Sequence, residues 1–202
     1  MVAMTHDLHR LQRGISLIEV LIAMVILAIG LLGLVGLQGR LHVTQVESYQ
    51  RAQALILLKD MAGRIANNRN NAADYAAGNM ATVGVGAHLL PADCPAPAAT
   101  TPRATADIAQ WCIALRGAAE SLDGTNVGAM VGGRGCIEEL EGERFLVTVA
   151  WQGLAPIQAP PATVTCGLDQ YNGGTGSPCI NDFCRRVVTT IVQFADLNVD
   201  EL

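Results

Sequence analysis

Residues 15–37 hold 18 apolar side chains among 23, and the five exceptions are Ser16, Glu19, Gly30, Gly33 and Gly36. Residues 20–37 run without a charge. As a helix they would span roughly 27 Å, close to the hydrocarbon core of a bilayer of roughly 30 Å. A helix that is apolar all round must be buried in protein or in lipid. The rest of a 202-residue chain offers little to cover it. The run is therefore expected to cross a membrane, and it tightens what the remainder can be.

Residues 1–14 are polar and carry Asp7, Arg10 and Arg13, so they contain no apolar segment of their own. A secretory signal peptide places its apolar region before the cleavage point and loses it. Here the small residue at the polar-to-apolar boundary is Gly14. Cleavage after it would leave the apolar helix on the mature chain, beginning at Ile15. Glu19 then lies one helical turn from the new α-amine, with opposite charge. A carboxylate within an apolar span costs about 2.5–3.5 kcal/mol on insertion scales, which marks it as functional by default. The alternative is a side chain that snorkels to the headgroups from the helix start.

Gly30, Gly33, Gly36 and Gly39 recur every third residue. Each mid-helix glycine costs about 1 kcal/mol against alanine, so four together call for close helix approach, local flexibility, or both. Beyond Gly39 the pattern becomes amphipathic. Leu41, Val46, Tyr49, Leu55, Ile56, Leu58, Met61, Ala62 and Ile65 form the expected packed stripe. The asparagines of residues 67–71 are expected to end the helix.

The stretch Arg13-Gly14-Ile15-Ser16-Leu17-Ile18-Glu19-Val20-Leu21 resembles the prepilin cleavage and methylation motif shared by type IV pilins and type II secretion pseudopilins. The usual first residue after the cut is Phe, and Ile15 stands here. The segments Ile29-Gly30-Leu31-Leu32-Gly33-Leu34, Tyr49-Gln50-Arg51-Ala52-Gln53-Ala54, and Asp60-Met61-Ala62-Gly63-Arg64-Ile65 also look like the pilus modification class of minor pilins, PilV. The resemblance covers residues 13–75 well and the rest only in layout. It implies cleavage after Gly14 by a prepilin peptidase, N-methylation of Ile15, and use of Glu19 to bring neighbouring subunits into register. It further implies other major and minor pilins and an inner-membrane assembly platform as partners. The location implied is a single inner-membrane pass with a periplasmic head, then a pilus at the cell surface that serves adhesion or twitching motility.

The expected organisation is a leader at 1–14, a membrane and filament-core helix at 15–37, its amphipathic continuation at 38–70, and a head at 71–202. The head has the patterns of an α+β domain. Residues 71–106 are rich in Ala, Gly, Pro and Thr and read as an irregular connection. Residues 107–122 place Ile108, Trp111, Cys112, Leu115, Ala118, Ala119 and Leu122 on one helical face. Residues 143–152 and 185–194 have strand character, with weaker strands at 136–140 and 162–166. Strands with these connections make an antiparallel sheet for the amphipathic helix to cover, which agrees with the pilin-like fold that the resemblance implies.

Cys94, Cys112, Cys136, Cys166, Cys179 and Cys184 all lie beyond the apolar run. Six cysteines in a loop-rich exported domain point to disulfides in any of 15 connectivities. Cys179 and Cys184 form the closest pair, and Cys112 could instead be a buried free thiol. No Cys-x-x-Cys pair is present and His88 is the one histidine of the head, so neither a metal nor another cofactor is expected. The formal charge of −5 and pI near 5.3 argue against an electrostatic nucleic-acid surface. No nucleophile, phosphate-loop or dinucleotide motif appears, and Glu138, Glu139, Glu141 and Glu143 read as a solvated face, so no catalytic residue is expected and the chain is not read as an enzyme. Two readings compete with the minor pilin: a type II secretion pseudopilin, and a membrane-anchored periplasmic enzyme or binding protein.

Overall fold

The computed structural model describes residues 16–76, 82–84, 94, 100–117, 121–122, 125–126 and 130–194, with backbone alone at 82–84, 121–122 and 125–126. The elements in chain order are helix α1 (Leu17–Asn67), a 3-10 helix (Arg69–Tyr75), strand β1 (Thr82–Gly84), helix α2 (Arg103–Leu115), strands β2 (Ser121–Leu122) and β3 (Thr125–Asn126), and strands β4 (Arg134–Leu140), β5 (Arg144–Gln152) and β6 (Arg185–Gln193). The chain divides into two compact units, Met1–Thr44 and Gln45–Leu202. In the first, the described residues are helical from Leu17 onward and their apolar side chains are exposed, among them Leu17, Ile26 and Leu32. The helix is long and apolar enough to cross a membrane.

The second unit is an α+β head. Its main sheet has the order β1-β4-β5-β6, every pair antiparallel, and β2 with β3 makes a separate two-stranded ladder. In β5, alternation sends Phe145, Val147, Val149 and Trp151 to one face, where they join Ile137 of β4 in the main core. From α1 the core receives Ala54, Leu58, Met61 and Ile65, and from α2 it receives Ile108, Trp111 and Leu115. The opposite face of β5 is also covered. There Cys136, Ala150, Cys166 and Tyr171 form a second buried cluster beneath the long β5–β6 connection.

Several expectations change. The buried stripe of α1 is Gln50, Ala54, Leu58, Met61 and Ile65. Tyr49, Ile56 and Val46 of the expected stripe are 45%, 60% and 45% exposed. The 4-4-3-4 spacing keeps the buried five on one face, whereas Leu55 and Ile56 lie about 100° and 200° round the helix from Ala54. Helix α2 starts earlier and ends earlier than expected. It begins after Pro102, whose carbonyl accepts from the Ala106 amide at 3.1 Å, and it stops where Gly117 turns to φ 80°. Residues 71–106 are not irregular throughout, because the 3-10 helix, β1 and the start of α2 fall within them. Residues 162–166 form turns and irregular chain instead of a strand. Pro160 and Pro161 precede them, Gly167 follows at φ 68°, and the Val164 and Cys166 carbonyls accept from Arg185 at 2.6 and 3.2 Å. Those carbonyls are thereby satisfied without a strand partner.

Trp111 is fully buried, and its indole N–H donates to the Leu57 carbonyl of α1 at 2.9 Å. Its six-membered ring occupies the space where a side chain at Gly135 of β4 would stand, and Leu115 Cδ1 lies 2.8 Å from that same point. A second tie joins the end of α1 to α2. Arg64 donates to Asp60 at 2.9 Å, to Asp107 at 2.8 Å and to Gln110 at 2.7 Å, while the Tyr75 hydroxyl donates to the other Asp107 oxygen at 2.6 Å. Burial alone would lower the Arg64 pKa, but hydrogen bonding to Asp60 and Asp107 raises it above its ordinary value. Burial, together with the Asp107 carboxylate, pushes the Tyr75 phenol up to about 12.

Two outcomes are expected. Gly135→Ala should destabilise the head by about 1–3 kcal/mol, read as a lower denaturant midpoint of the purified full chain in detergent. Tyr75 keeps its proton above the ordinary tyrosine pKa of about 10 in the folded state, so it contributes stability that is complete below about pH 10 and lost as pH rises towards about 12. Alkaline denaturation followed by circular dichroism should therefore show a shallower loss over that window in Tyr75→Phe than in the wild type.

Candidate functional site

The start of α1 carries the first candidate. The Ser16 carbonyl accepts from the amides of Glu19 at 3.0 Å and Val20 at 3.3 Å, so Glu19 sits in the first helical turn. A carboxylate there faces the positive end of the helix dipole. Glu19, Val20, Ala23, Met24 and Leu27 line a shallow, mainly apolar groove on the helix surface. Gly14 and Ile15 lie outside the described residues, so the arrangement of Glu19 against a processed terminus is not part of the described geometry.

Gly30, Gly33, Gly36 and Gly39 follow on the same helix. A side chain built at any of them would meet nothing within 4 Å. Among the described residues, then, no intramolecular packing accounts for these glycines.

Glu47 was not singled out from the sequence, and the structure gives it a definite set of partners. Its Oε1 accepts from the backbone amides of Leu154 at 3.0 Å and Ala155 at 3.4 Å, and from the Arg186 guanidinium at 3.2 Å. Arg186 also donates to the Ala155 carbonyl at 2.6 Å. One carboxylate thus fastens α1 to both ends of the β5–β6 connection. The signal available in sequence was a lone acid among Leu41, Val43, Val46 and Tyr49.

The connection itself spans residues 153–184, far longer than ordinary loops between paired strands. Arg185 is fully buried at its end, with Nε 3.0 Å from Asp182 Oδ2. Asp182 also accepts from the Asp169 amide at 2.9 Å, and its own amide donates to Asn172 Oδ1 at 2.8 Å. The Tyr171 hydroxyl donates to the Gly132 carbonyl at 2.8 Å under the Arg134 guanidinium, and burial raises its phenol pKa. Cys136–Cys166 ties the connection to β4, Cys179–Cys184 closes its last turn, and Cys94–Cys112 joins the preceding segment to α2. All six cysteines are paired, so Cys112 is not a free thiol. On the chain-entropy view, loops of 18 and 30 residues contribute roughly 3–4 kcal/mol each and the loop of 5 about 2 kcal/mol.

Among the described residues, no group of three or more His, Cys, Asp and Glu side chains is placed to hold a metal ion. Of the four hairpin glutamates, Glu138 accepts from the Thr165 hydroxyl at 2.7 Å, and Glu139, Glu141 and Glu143 are exposed.

Neither the curated proteins nor the solved structures yielded a match to the chain. Residues 9–35 match the family described as the prokaryotic N-terminal methylation motif, and this supports a type IV pilin-like or pseudopilin-like protein that is a structural subunit in type.

Proposed function

We propose that the chain is a minor pilin of the pilus modification (PilV) class, made as a prepilin and incorporated into type IV pili. The methylation motif at residues 9–35, joined to a helix apolar enough to cross a membrane, supports the pilin-like part of this reading, and the PilV class rests on the resemblance at residues 29–34, 49–54 and 60–65. In this reading a prepilin peptidase cuts after Gly14 and methylates the amine of Ile15. The helix holds the chain in the inner membrane until assembly, with the head in the periplasm. Glu19 lies in the first turn, where it attracts a cationic amine across a low-dielectric boundary and sets the register of one subunit on the next. Gly30, Gly33, Gly36 and Gly39, bare on the helix surface, supply close approach for a neighbouring helix.

A type II secretion pseudopilin carries the same kind of motif, and gene neighbours separate the two: pilus biogenesis genes in one case, secretion genes in the other. An anchored enzyme or binding protein would instead show activity or ligand affinity in the purified chain without any filament.

Replacing Gly14 with Leu should leave the leader on, so the intact mass of the membrane protein retains all 14 leader residues and the protein disappears from sheared pili. Unchanged mass and recovery relative to wild type would sink the reading. Glu19→Ala should still be cleaved and inserted, yet be recovered in sheared pili at a small fraction of the wild-type level. Normal recovery would refute the assembly role of Glu19.

A further inference from the structure

Asn172-Gly173, in the β5–β6 connection, is the one Asn-Gly pair in the chain. In such a pair the glycine nitrogen can attack the asparagine carboxamide, because no β-carbon on the second residue hinders the approach. Both residues are exposed, so water reaches them. The turn nevertheless requires both. A side chain at Gly173 would collide with the Ser177 side chain, whose Oγ already accepts from the Cys179 amide at 3.1 Å. Asn172 accepts and donates at once: its Oδ1 takes the Asp182 amide at 2.8 Å, and its Nδ2 donates to Asp169 Oδ1 at 3.3 Å. An ionised aspartate in its place could only accept.

The same turn restrains both reacting groups. The Gly173 N–H donates to the Cys179 carbonyl at 2.6 Å, and the Asn172 carboxamide is held on both sides. The acceptor for Gly173 and the amide that binds Asn172 Oδ1 both belong to the short segment closed by Cys179–Cys184. We propose that Asn172-Gly173 is a self-modification site, kept unreactive by the turn that Cys179–Cys184 closes and opened to succinimide formation when that bridge is absent. The Gly173 nitrogen then gives its proton to water and bonds to Asn172 Cγ, while the carboxamide nitrogen leaves as ammonia. Water opens the resulting cyclic imide at either carbonyl, which leaves an aspartate or an isoaspartate. No oxidant or reductant takes part in the step. The product has no N–H for Asp169 and sets a negative charge beside it, so the turn does not close again as before. Deamidation therefore marks, in one direction only, a head that has stayed without its last bridge.

The test holds the full chain, purified in detergent, in mildly alkaline buffer and scores aspartate and isoaspartate at position 172 over time by peptide mass spectrometry. A synthetic peptide of residues 169–178 gives the unrestrained rate. The wild type should deamidate severalfold more slowly than the peptide. The double variant Cys179→Ser, Cys184→Ser should approach the peptide rate while Cys94–Cys112 and Cys136–Cys166 stay closed and circular dichroism shows a folded head. Asp169→Gly removes the acceptor for Asn172 Nδ2 at a position where φ is 59°, and it too should deamidate severalfold faster than the wild type with all three bridges closed. Asn172→Gln should leave no product at that position. A wild type as fast as the peptide overturns the proposal, as does a folded double variant as slow as the wild type. Should the double variant not fold, Asp169→Gly decides, and a rate equal to that of the wild type overturns the proposal.

Discussion

The buried indole of Trp111 couples three elements at once: its N–H reaches the Leu57 carbonyl of α1, its ring lies over Gly135 of β4, and its backbone belongs to α2. A buried indole needs a partner for its N–H, and here the partner is the backbone carbonyl of Leu57, in the last third of the long helix. The absence of a side chain at Gly135 lets helix and sheet approach to ring thickness. With only 4% aromatic residues, the head has few large side chains to fill its interior, so the placing of this one governs the fit of the rest.

Two polar ties bracket the apolar stripe of α1 within the head. Near its start the helix offers an acid, Glu47, to amides and to Arg186; near its end it offers a base, Arg64, to Asp107 and Gln110. An apolar stripe by itself would tolerate sliding by a turn or reversal of direction. Opposite charges at the two ends do not, because either change would part Arg186 from Glu47 and Asp107 from Arg64 in a partly buried place, leaving Asp107 only the longer pairing with Arg103 at 3.7 Å. The net stabilisation from each pair is modest, and their larger effect is to fix the helix in one register.

Much of this was legible in the sequence where a pattern is local. The apolar run, the end of the helix at the asparagines, and the alternation of Phe145, Val147, Val149 and Trp151 each depend on neighbours a few residues apart. The methylation motif is local too, and it is the part that a known family matches. What was not legible depends on residues far apart in the chain. The role of Glu47 requires Leu154 and Arg186, more than 100 residues away, to be brought to it. The burial of Gln50 and Ala54 in place of Leu55 and Ile56 is set by the direction from which β5 and α2 approach. Residues 162–166 have strand composition, yet Arg185 satisfies the Val164 and Cys166 carbonyls from inside the fold.

The cysteines pair first with second, third with fourth and fifth with sixth along the chain. No bridge encloses or crosses another. A chain entering an oxidising compartment with its head emerging in sequence order can therefore close each bridge before the next cysteine arrives. An oxidant that acts in order of emergence makes the native set directly, and no isomerase is required to undo a wrong pair.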